Sequence, residues 1–414
     1  MTKRRGHGEG AIYQRESDGK WCASVDLGYV KGKRRRKTIY SRTRKEVADK
    51  LKALHRDQAA GINIAPDQYT VEQFLNRWLD EVICHRRPRT QESYRGTVRL
   101  HIIPYVGTFK LHKLQPEHVQ AMVNALATTG LSPRSVEYAT LVLSRGLNQA
   151  KRWGYITKNA VDGVELPQVK RPKIQPADEQ QARAFLKAVK GHRLEALYWV
   201  TLFLGLRRGE VLGLLKKNIN QKAMTMTIEA SLQRVGKKLE RSEPKTETST
   251  RVLPLPAPLW DMLREHLHRL ESERGRAGEK WQEHGYLFPS ERGTPLEPRN
   301  LVRHFKTVIT KANSILTEEA AQAGETLPES ALIPHNTRFH DLRHWCASLL
   351  IAYEVHPKAI QEILGHANIK TTMDIYGHLL PKVLQSATDR MATLLPKQAD
   401  NAKTPEDEQN QTPE

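Results

Sequence analysis

A helical spacing of apolar residues, broken by prolines and glycines, is the feature that most limits what this chain can fold into. From Thr70 onward, apolar side chains recur at intervals of three and four residues: Val71, Phe74, Leu75, Trp78, Leu79 and Val82. This period is typical of a helix with one buried face. Pro104 and Gly107 interrupt the pattern, and two longer helical stretches follow. Residues 68–167 are therefore predicted to form a helical domain.

The first 60 residues have a different pattern and a strong positive charge. They contain 17 basic and 7 acidic residues, a net charge of +10, which is half of the +20 of the whole chain. An Asp18-Gly19 turn precedes a strand in which alternate residues are apolar, a basic strand follows, and Thr43 can cap a helix. Residues 1–62 are thus expected to form a three-stranded sheet packed on one helix.

The open face of that sheet is expected to enter a DNA major groove. Its candidate DNA contacts lie on the basic strand: Arg34, Arg35, Arg36 and Lys37. A solvated basic hairpin without a DNA role is the alternative. The overall charge agrees with the first hypothesis, because a large positive excess attracts polyanions, although an inert cationic surface would have the same composition.

The second half of the chain is predicted to be a mixed α+β domain over residues 174–395, so that the whole protein is multi-domain and mainly α with small β elements. One hairpin is expected, with Met224, Met226 and Ile228 alternating on its first arm, a turn at Gly236, and residues 250–253 on the returning arm. Residues 317–330 are acidic and indicate a peripheral helix or loop. Residues 396–414 are polar and are predicted to be disordered.

Composition excludes several classes of protein. Three widely separated cysteines, Cys22, Cys84 and Cys346, fit neither a disulfide framework nor a paired-cysteine zinc site, and they favour a reducing cytoplasm. No apolar stretch approaches the ~20 residues of a membrane span. The basic N-terminus has no apolar segment behind it, so a signal peptide is not expected.

Common catalytic motifs are also missing. The sequence has no phosphate-binding Gly-x4-Gly-Lys-[Ser/Thr] loop, no Gly-x-Ser-x-Gly elbow and no His-Glu-x-x-His helix. His340 and His344 have the i,i+4 spacing of two zinc ligands, but no third ligand follows at an obvious spacing. No metal site and no cofactor are therefore predicted.

A set of polar groups suited to a phosphodiester is present instead. An arginine stands at the turn into a helix in Gly-Leu-Arg-Arg-Gly-Glu, a lysine lies on the rim of the predicted hairpin, a His-x-x-Arg pair shares a helical face, and a Leu-Gly-His box precedes a tyrosine by ten residues. The residues concerned are Arg207, Glu210, Lys245, His340, Arg343, His366 and Tyr376.

In this order, the motifs resemble those of tyrosine recombinases of the phage integrase family. The resemblance is specific over residues 200–380, and the domains upstream resemble those of the larger, two-site integrases. It implies a site-specific recombinase that integrates or excises a mobile element, without metal or ATP, through a 3′-phosphotyrosine intermediate. It further implies double-stranded DNA with core and arm sites, a homotetramer on DNA, a possible accessory directionality or DNA-bending protein, and a bacterial cytoplasm.

The resemblance also implies a role for each residue. Arg207 and Arg343 would hold the non-bridging phosphate oxygens by bidentate hydrogen bonds. Tyr376 would attack phosphorus. Its phenol has an ordinary pKa of ~10, so His340 would take its proton. Lys245 would protonate the departing 5′ oxygen, His366 would donate to the phosphate, and Glu210 would orient the arginines.

Several alternatives stay open at this point. Tyr353 is a rival nucleophile, although its apolar surroundings favour a core position. Arg208 is a candidate DNA-backbone contact, and His344 packs its helix or supports its neighbours. The apolar segment after Tyr376 docks either on a neighbouring protomer or on its own domain.

Three other functions use related folds or chemistry. They are a chromosome-dimer resolvase, a type IB topoisomerase and a DNA-binding regulator that no longer cleaves. The extra basic N-terminal domain argues against the resolvase and the Leu-Gly-His box against the topoisomerase. The complete set of catalytic residue types argues against the regulator.

Overall fold

A computed structural model describes residues 12–30, 33–59, 69–169, 177–243, 250–366 and 368–370. The chain divides into two compact units, residues 1–172 and 173–414. The linker at 61–68, the segment after Tyr376 and the tail from 396 lie outside the described residues, so the predictions made for them remain predictions.

The N-terminal elements are the three strands and one helix that the sequence predicts. Strands β1 (Ile12–Gln14), β2 (Trp21–Val30) and β3 (Lys33–Ser41) form an antiparallel sheet in the order β1-β2-β3, and α1 (Arg44–Ala59) follows. Gly19 has φ +65°, a conformation that favours glycine in the β1–β2 turn. A small core joins the sheet to α1 through Ala23, Val25, Val47 and Leu51.

The register of β3 separates its residues into two faces. Lys37 pairs with Val25, a residue of the core under α1, so Lys37 lies on the helix-covered face. Arg36, Thr38 and Tyr40 alternate with that face and lie on the open one, where Arg36 is exposed. The predicted DNA contacts at 36 and 37 therefore lie on opposite faces, while Arg34 and Arg35 lie within β3.

A helical domain follows, as predicted, with its own core. Its helices are α2 (Val71–Glu81), α3 (Pro88–Thr97), α4 (Ile103–Val106), α5 (Pro116–Thr128) and α6 (Pro133–Arg152). Thr70 and Gln73 form a capping box that starts α2. The chain stays helical between α3 and α4 through a π-helical segment, Val98–Ile102. Pro104 directly follows this segment, at the second position of α4.

The second unit is mainly helical with two small sheets. Its helices are α7 (Glu179–Val189), α8 (Glu195–Phe203), α9 (Arg208–Gly213), α10 (Ala257–Ala277), α11 (Pro298–Gln322), α12 (Asp341–Ala352) and α13 (Pro357–Leu364). They enclose a core whose largest buried side chains are Phe185, Tyr198, Phe288, Phe305 and Trp345. The acidic stretch at 317–330 begins as the last turns of α11, where Ala320 is buried, and continues as a loop.

The two predicted arms of the hairpin in this unit pair with each other, but the predicted turn between them is wrong. The strands are β4 (Ile219–Asn220), β5 (Thr225–Ile228), β6 (Ser231–Val235), β7 (Lys238–Ser242) and β8 (Arg251–Pro254). The Gly236 turn joins β6 to β7 in a separate two-stranded sheet, whereas β5 pairs with β8 in the order β4-β5-β8. Buried Met226, Ile228 and Leu253 explain the long-range pairing, because both strands bury apolar side chains in the same core.

Candidate active site

Arg207 stands at the start of α9, on a turn whose shape depends on Gly205. Gly205 has φ +56°, and a Cβ there would lie 2.4 Å from Leu364 Cδ2 and 3.2 Å from Cys346 Sγ. The turn thus packs directly on α12 and α13, which leaves no room for a side chain. This close approach brings Arg207 next to the motifs that lie about 140 and 160 residues further along the chain.

Glu210 holds Arg207 in place from one helical turn away. Its carboxylate accepts the Arg207 backbone N–H at 3.0 Å and Arg207 Nη1 at 2.6 Å. The same carboxylate accepts Nη2 of Arg251 at 3.0 Å. Burial favours the neutral acid, but the charges of Arg251 and then Arg207 outweigh it, so the pKa of Glu210 lies below its ordinary value. Glu210 is thus a buried carboxylate between two guanidinium groups.

Arg343 projects from the first turn of α12 into the same region. Its side chain is buried, and Nη1 donates to the carbonyl oxygen of Gly205 at 2.8 Å. Arg343 is therefore anchored on the turn that leads into Arg207. The two arginines of the sequence prediction lie in one place although 136 positions separate them.

His340 and His344 lie one turn apart at the start of α12, with ring centroids 5.3 Å apart and the rings nearly perpendicular. Desolvation by the surrounding protein, followed by the charges of His344 and Arg343, lowers the pKa of His340 to about 4, although part of the side chain faces solvent. Burial also lowers the pKa of His344. His340 is therefore a neutral imidazole near pH 7, able to accept a proton.

His366 follows the glycine that ends α13. Gly365 has φ +63°, and its N–H donates to Glu362 O while the His366 N–H donates to Gln361 O, both at 3.1 Å, which is a Schellman ending. The Gly365 carbonyl accepts Arg207 Nη2 at 3.3 Å. Burial, then the charges of Arg343 and Arg207, lower the pKa of His366 to about 4. The Leu-Gly-His box is thus joined to the first arginine.

The described part of the chain therefore brings together five predicted residues: Arg207, Glu210, His340, Arg343 and His366. Lys245 belongs to the connection between β7 and β8, and this residue and Tyr376 lie outside the described residues. Tyr353, the rival nucleophile, is exposed at the end of α12 and not in the core position expected for it. Among the described residues, no group of three or more His, Cys, Asp or Glu side chains could hold a metal ion.

Arg251 is a site residue that the sequence prediction missed. It begins β8 and is buried against Glu210. A signal was present in the sequence: Arg251 alternates with exposed Val252 and shares its inward orientation with Leu253. An arginine at an inward position of a short strand indicates a buried ion pair, because a buried charge needs a partner.

The open face of the N-terminal sheet also carries residues that charge counting did not identify. The register aligns Tyr13, Cys22 and Tyr40 in one row across the three strands. Tyr13 is 50% and Tyr40 45% exposed, and the Arg15 guanidinium lies 5.0 Å from the Tyr40 ring centroid. With Arg36 on the same face, this row combines aromatic and cationic groups, a composition suited to nucleic acid.

Comparison with known proteins agrees with the fold. Residues 176–382 match the phage integrase family, and residues 70–127 match the phage integrase N-terminal SAM-like domain. An integrase from Streptomyces ambofaciens is 31% identical over 397 residues, which cover 93% of this chain and 96% of the relative.

Solved integrase structures, among them the following two, are similar in fold. The Tn1549 transposon integrase in complex with transposon right end DNA matches with a TM-score of 0.64 and 21% identity, over 78% of this chain and 99% of that one. The lambda integrase tetramer bound to a Holliday junction matches with a TM-score of 0.55 and 17% identity, over 91% of this chain and 97% of that one.

The family match and its relatives show a DNA breaking-rejoining enzyme of the tyrosine recombinase class. The chain belongs to the phage integrase family. It is a site-specific recombinase of the kind that integrates or excises mobile elements. No helix in the described ranges is long and apolar enough to cross a membrane.

Proposed function

We propose that Arg207, Arg343, His340 and His366 surround one scissile phosphate and that Tyr376 attacks it. The observation that carries the proposal is the way both arginines are held by backbone carbonyl oxygens. Arg343 donates to Gly205 O, on the turn that leads into Arg207, and Arg207 donates to Gly365 O, next to His366. Guanidinium groups held in this way are oriented before the substrate arrives. Such preorganisation stabilises the charge that develops on the non-bridging oxygens in the pentavalent state.

The cleavage step moves two protons, one from the nucleophile to a base and one from an acid to the leaving group. The Tyr376 hydroxyl gives its proton to neutral His340, its oxygen forms a bond to phosphorus, and the bond from phosphorus to the 5′ oxygen breaks. Lys245 gives a proton to the departing oxygen, and His366 donates a hydrogen bond to a non-bridging oxygen. The product is a 3′-phosphotyrosine and a free 5′-hydroxyl. Attack by the 5′-hydroxyl of a partner strand reverses the step and releases Tyr376.

The other parts of the chain would select and hold the DNA. Residues 68–167 and 174–395 would bind the core site, and the sheet of residues 1–62 would bind a separate arm site through Arg36, Tyr40 and their neighbours. Since the lambda integrase structure is a tetramer on a Holliday junction, we propose a homotetramer that exchanges two pairs of strands, with an accessory directionality or DNA-bending protein setting the direction. The reaction would take place on DNA in a bacterial cytoplasm.

Trapping of the covalent intermediate tests the nucleophile. The wild-type protein, the Tyr376→Phe variant or the Tyr353→Phe variant is expressed in cells that carry the native element. Denaturant then traps covalent protein–DNA adducts, and the attached DNA ends are sequenced. Adducts at discrete sites are expected with wild type and with Tyr353→Phe, but not with Tyr376→Phe. Adducts that persist in Tyr376→Phe would overturn the assignment. The sequenced ends also define the core-site DNA for the experiments below.

A further inference from the structure

Arg251 is buried inside the second unit with all its identified hydrogen bonds directed at the active-site region. Its side chain is 7% exposed and that of Glu210 is 9% exposed. Nη2 donates to Glu210 Oε2 at 3.0 Å, and Nε donates to the carbonyl oxygen of Ile363 at 2.8 Å. A guanidinium removed from water needs such partners, because an unpaired buried charge costs several kcal/mol. The side chain is therefore held in one geometry.

The two partners of Arg251 belong to different catalytic motifs. Glu210 holds Arg207 through Nη1 and the backbone N–H. Ile363 lies in the last turn of α13, three residues before His366. Arg251 thus connects the element that supports the first arginine with the element that ends at the Leu-Gly-His box.

Close packing strengthens this connection. A Cβ at Gly365 would lie 2.9 Å from Nη1 of Arg251, a distance at which an atom must move. The guanidinium therefore lies directly against the backbone of Gly365, whose carbonyl oxygen accepts Nη2 of Arg207. A displacement of Arg251 would be transmitted to both Arg207 and His366.

We propose that Arg251 is a positioning residue. It fixes the Glu210 carboxylate and the Gly365 turn so that Arg207 and His366 contact the same phosphate. This inference rests on the proposed roles of Arg207 and His366. Arg251 itself does not touch DNA, since its guanidinium is enclosed by Glu210, Ile363 and Gly365. It acts on the reaction through the groups that do.

The chain contains a matched control for the loss of a buried ion pair. Arg193 donates Nε and Nη2 to the Glu273 carboxylate at 2.8 and 2.7 Å, and Nη1 to the carbonyl oxygen of Pro289 at 2.9 Å. The Arg193 and Glu273 side chains are mostly buried and join the start of α8 to α10. This pair has the same chemistry as Arg251 with Glu210, but none of its hydrogen bonds reaches an active-site residue.

The test compares Arg251→Met and Arg193→Met in the full chain, on core-site DNA with a nick that traps the cleaved product. For Arg251→Met we expect DNA binding within about threefold of wild type and a cleavage rate reduced by about 100-fold or more. Arg193→Met should lower the melting temperature as much as Arg251→Met does, yet its cleavage rate should stay within about threefold of wild type. Equal cleavage rates in the two variants would overturn the proposal.

Two further measurements separate positioning from general destabilisation. Added guanidinium ion should restore cleavage by Arg251→Ala at least about tenfold and leave Arg193→Ala unchanged. No restoration, with both proteins folded, counts against positioning. If Arg251→Met does not fold, the cleavage rate of Arg251→Lys and the guanidinium rescue of Arg251→Ala test the proposal instead.

An Arg207→Lys variant distinguishes failure of this proposal from failure of the proposed function. If Arg207→Lys cleaves at the wild-type rate, the proposed role of Arg207 is wrong. Loss of cleavage by Arg207→Lys with normal cleavage by Arg251→Met would remove only the role of Arg251.

Discussion

Nη1 of Arg343 donates to the carbonyl oxygen of Gly205 at 2.8 Å, so the second arginine of the site is fastened to the turn that leads into Arg207. The Gly-Leu-Arg and His-x-x-Arg motifs are thereby one structural unit. A planar guanidinium can make this bond and still direct another N–H at a phosphate, because its donors have a fixed fork geometry. An ammonium group cannot serve both acceptors in the same way.

Arg343→Lys should therefore lower cleavage strongly while keeping the positive charge. We expect the cleavage rate on nicked core-site DNA to fall by about 10²–10³-fold, with binding in a gel shift changed by less than about threefold. Arg338→Lys is the control, since Arg338 is exposed at the same end of α12 and pairs only with Asp341 among its identified contacts. Similar cleavage by the two lysine variants would contradict the role of Arg343.

Gly205→Ala should destabilise the second unit through steric contact as well as backbone strain. The added Cβ would meet Leu364 Cδ2 at 2.4 Å, and φ is +56°. Gly191→Ala is matched in backbone conformation, with φ +76°, but has open space around its Cβ. We expect a loss of about 1 kcal/mol for Gly191→Ala and about 2–4 kcal/mol for Gly205→Ala in denaturant unfolding. Equal losses of unfolding free energy in the two variants would show that the residues packed against Gly205 can move away without an energetic cost.

The second unit should become less stable as the pH falls from 7 to 5. Desolvation lowers the pKa values of His266, His304, His340 and His366 to about 4, from the ordinary 6.5. Between these values the unfolded chain binds more protons than the folded one, so the free energy of unfolding rises with pH and is lost on acidification. For deeply buried His266 alone the effect reaches about 3 kcal/mol at most.

Thermal melting between pH 5 and 7 measures this dependence. A His266→Asn variant should have a flatter melting temperature against pH than wild type, even though its stability at pH 7 is lower. A wild-type melting temperature that is constant or rises toward pH 5 would contradict the sign of the effect.

The two faces of the N-terminal sheet predict different effects of neighbouring substitutions. Arg36 is on the open face, and Lys37 is on the face that carries α1. With the full chain bound to duplex DNA, Arg36→Ala should reduce the slope of log affinity against log salt by about one, which corresponds to one lost phosphate contact. Lys37→Ala should change that slope by less than half as much. A larger effect for Lys37→Ala would place the DNA on the other face.

Much of the architecture follows from local patterns. The capping box at Thr70 and the apolar stripe after it specify α2, and the Asp18-Gly19 turn specifies the β1–β2 hairpin. The Leu-Gly-His box predicts a helix ending at Gly365, because a left-handed glycine there completes the Schellman hydrogen bonds. Each of these elements depends on residues within a few positions of one another.

The connection between the paired strands β5 and β8 did not follow from local patterns. The predicted pairing of the strand around Met226 with residues 250–253 is confirmed, since β5 pairs with β8. The Gly236 turn, however, belongs to a further hairpin of β6 and β7 that lies between them in the sequence. Turn residues specify only the strands next to them. Which distant strand completes a sheet depends on the burial of Met226, Ile228 and Leu253 in one core.

The kind of chemistry can be inferred without any coordinates, because the order and types of Arg207, His340, Arg343, His366 and Tyr376 fit cleavage and rejoining of a phosphodiester. Only the tertiary structure decided how the described groups among them are held. Glu210 forms ion pairs with Arg207 and Arg251. The Gly205 carbonyl oxygen accepts a hydrogen bond from Arg343, and Gly365 contacts both Arg207 and Arg251. Except for Glu210 with Arg207, these contacts join residues more than 40 positions apart. They exist only where packing of β8, α9, α12 and α13 excludes water and gives each buried charge a partner.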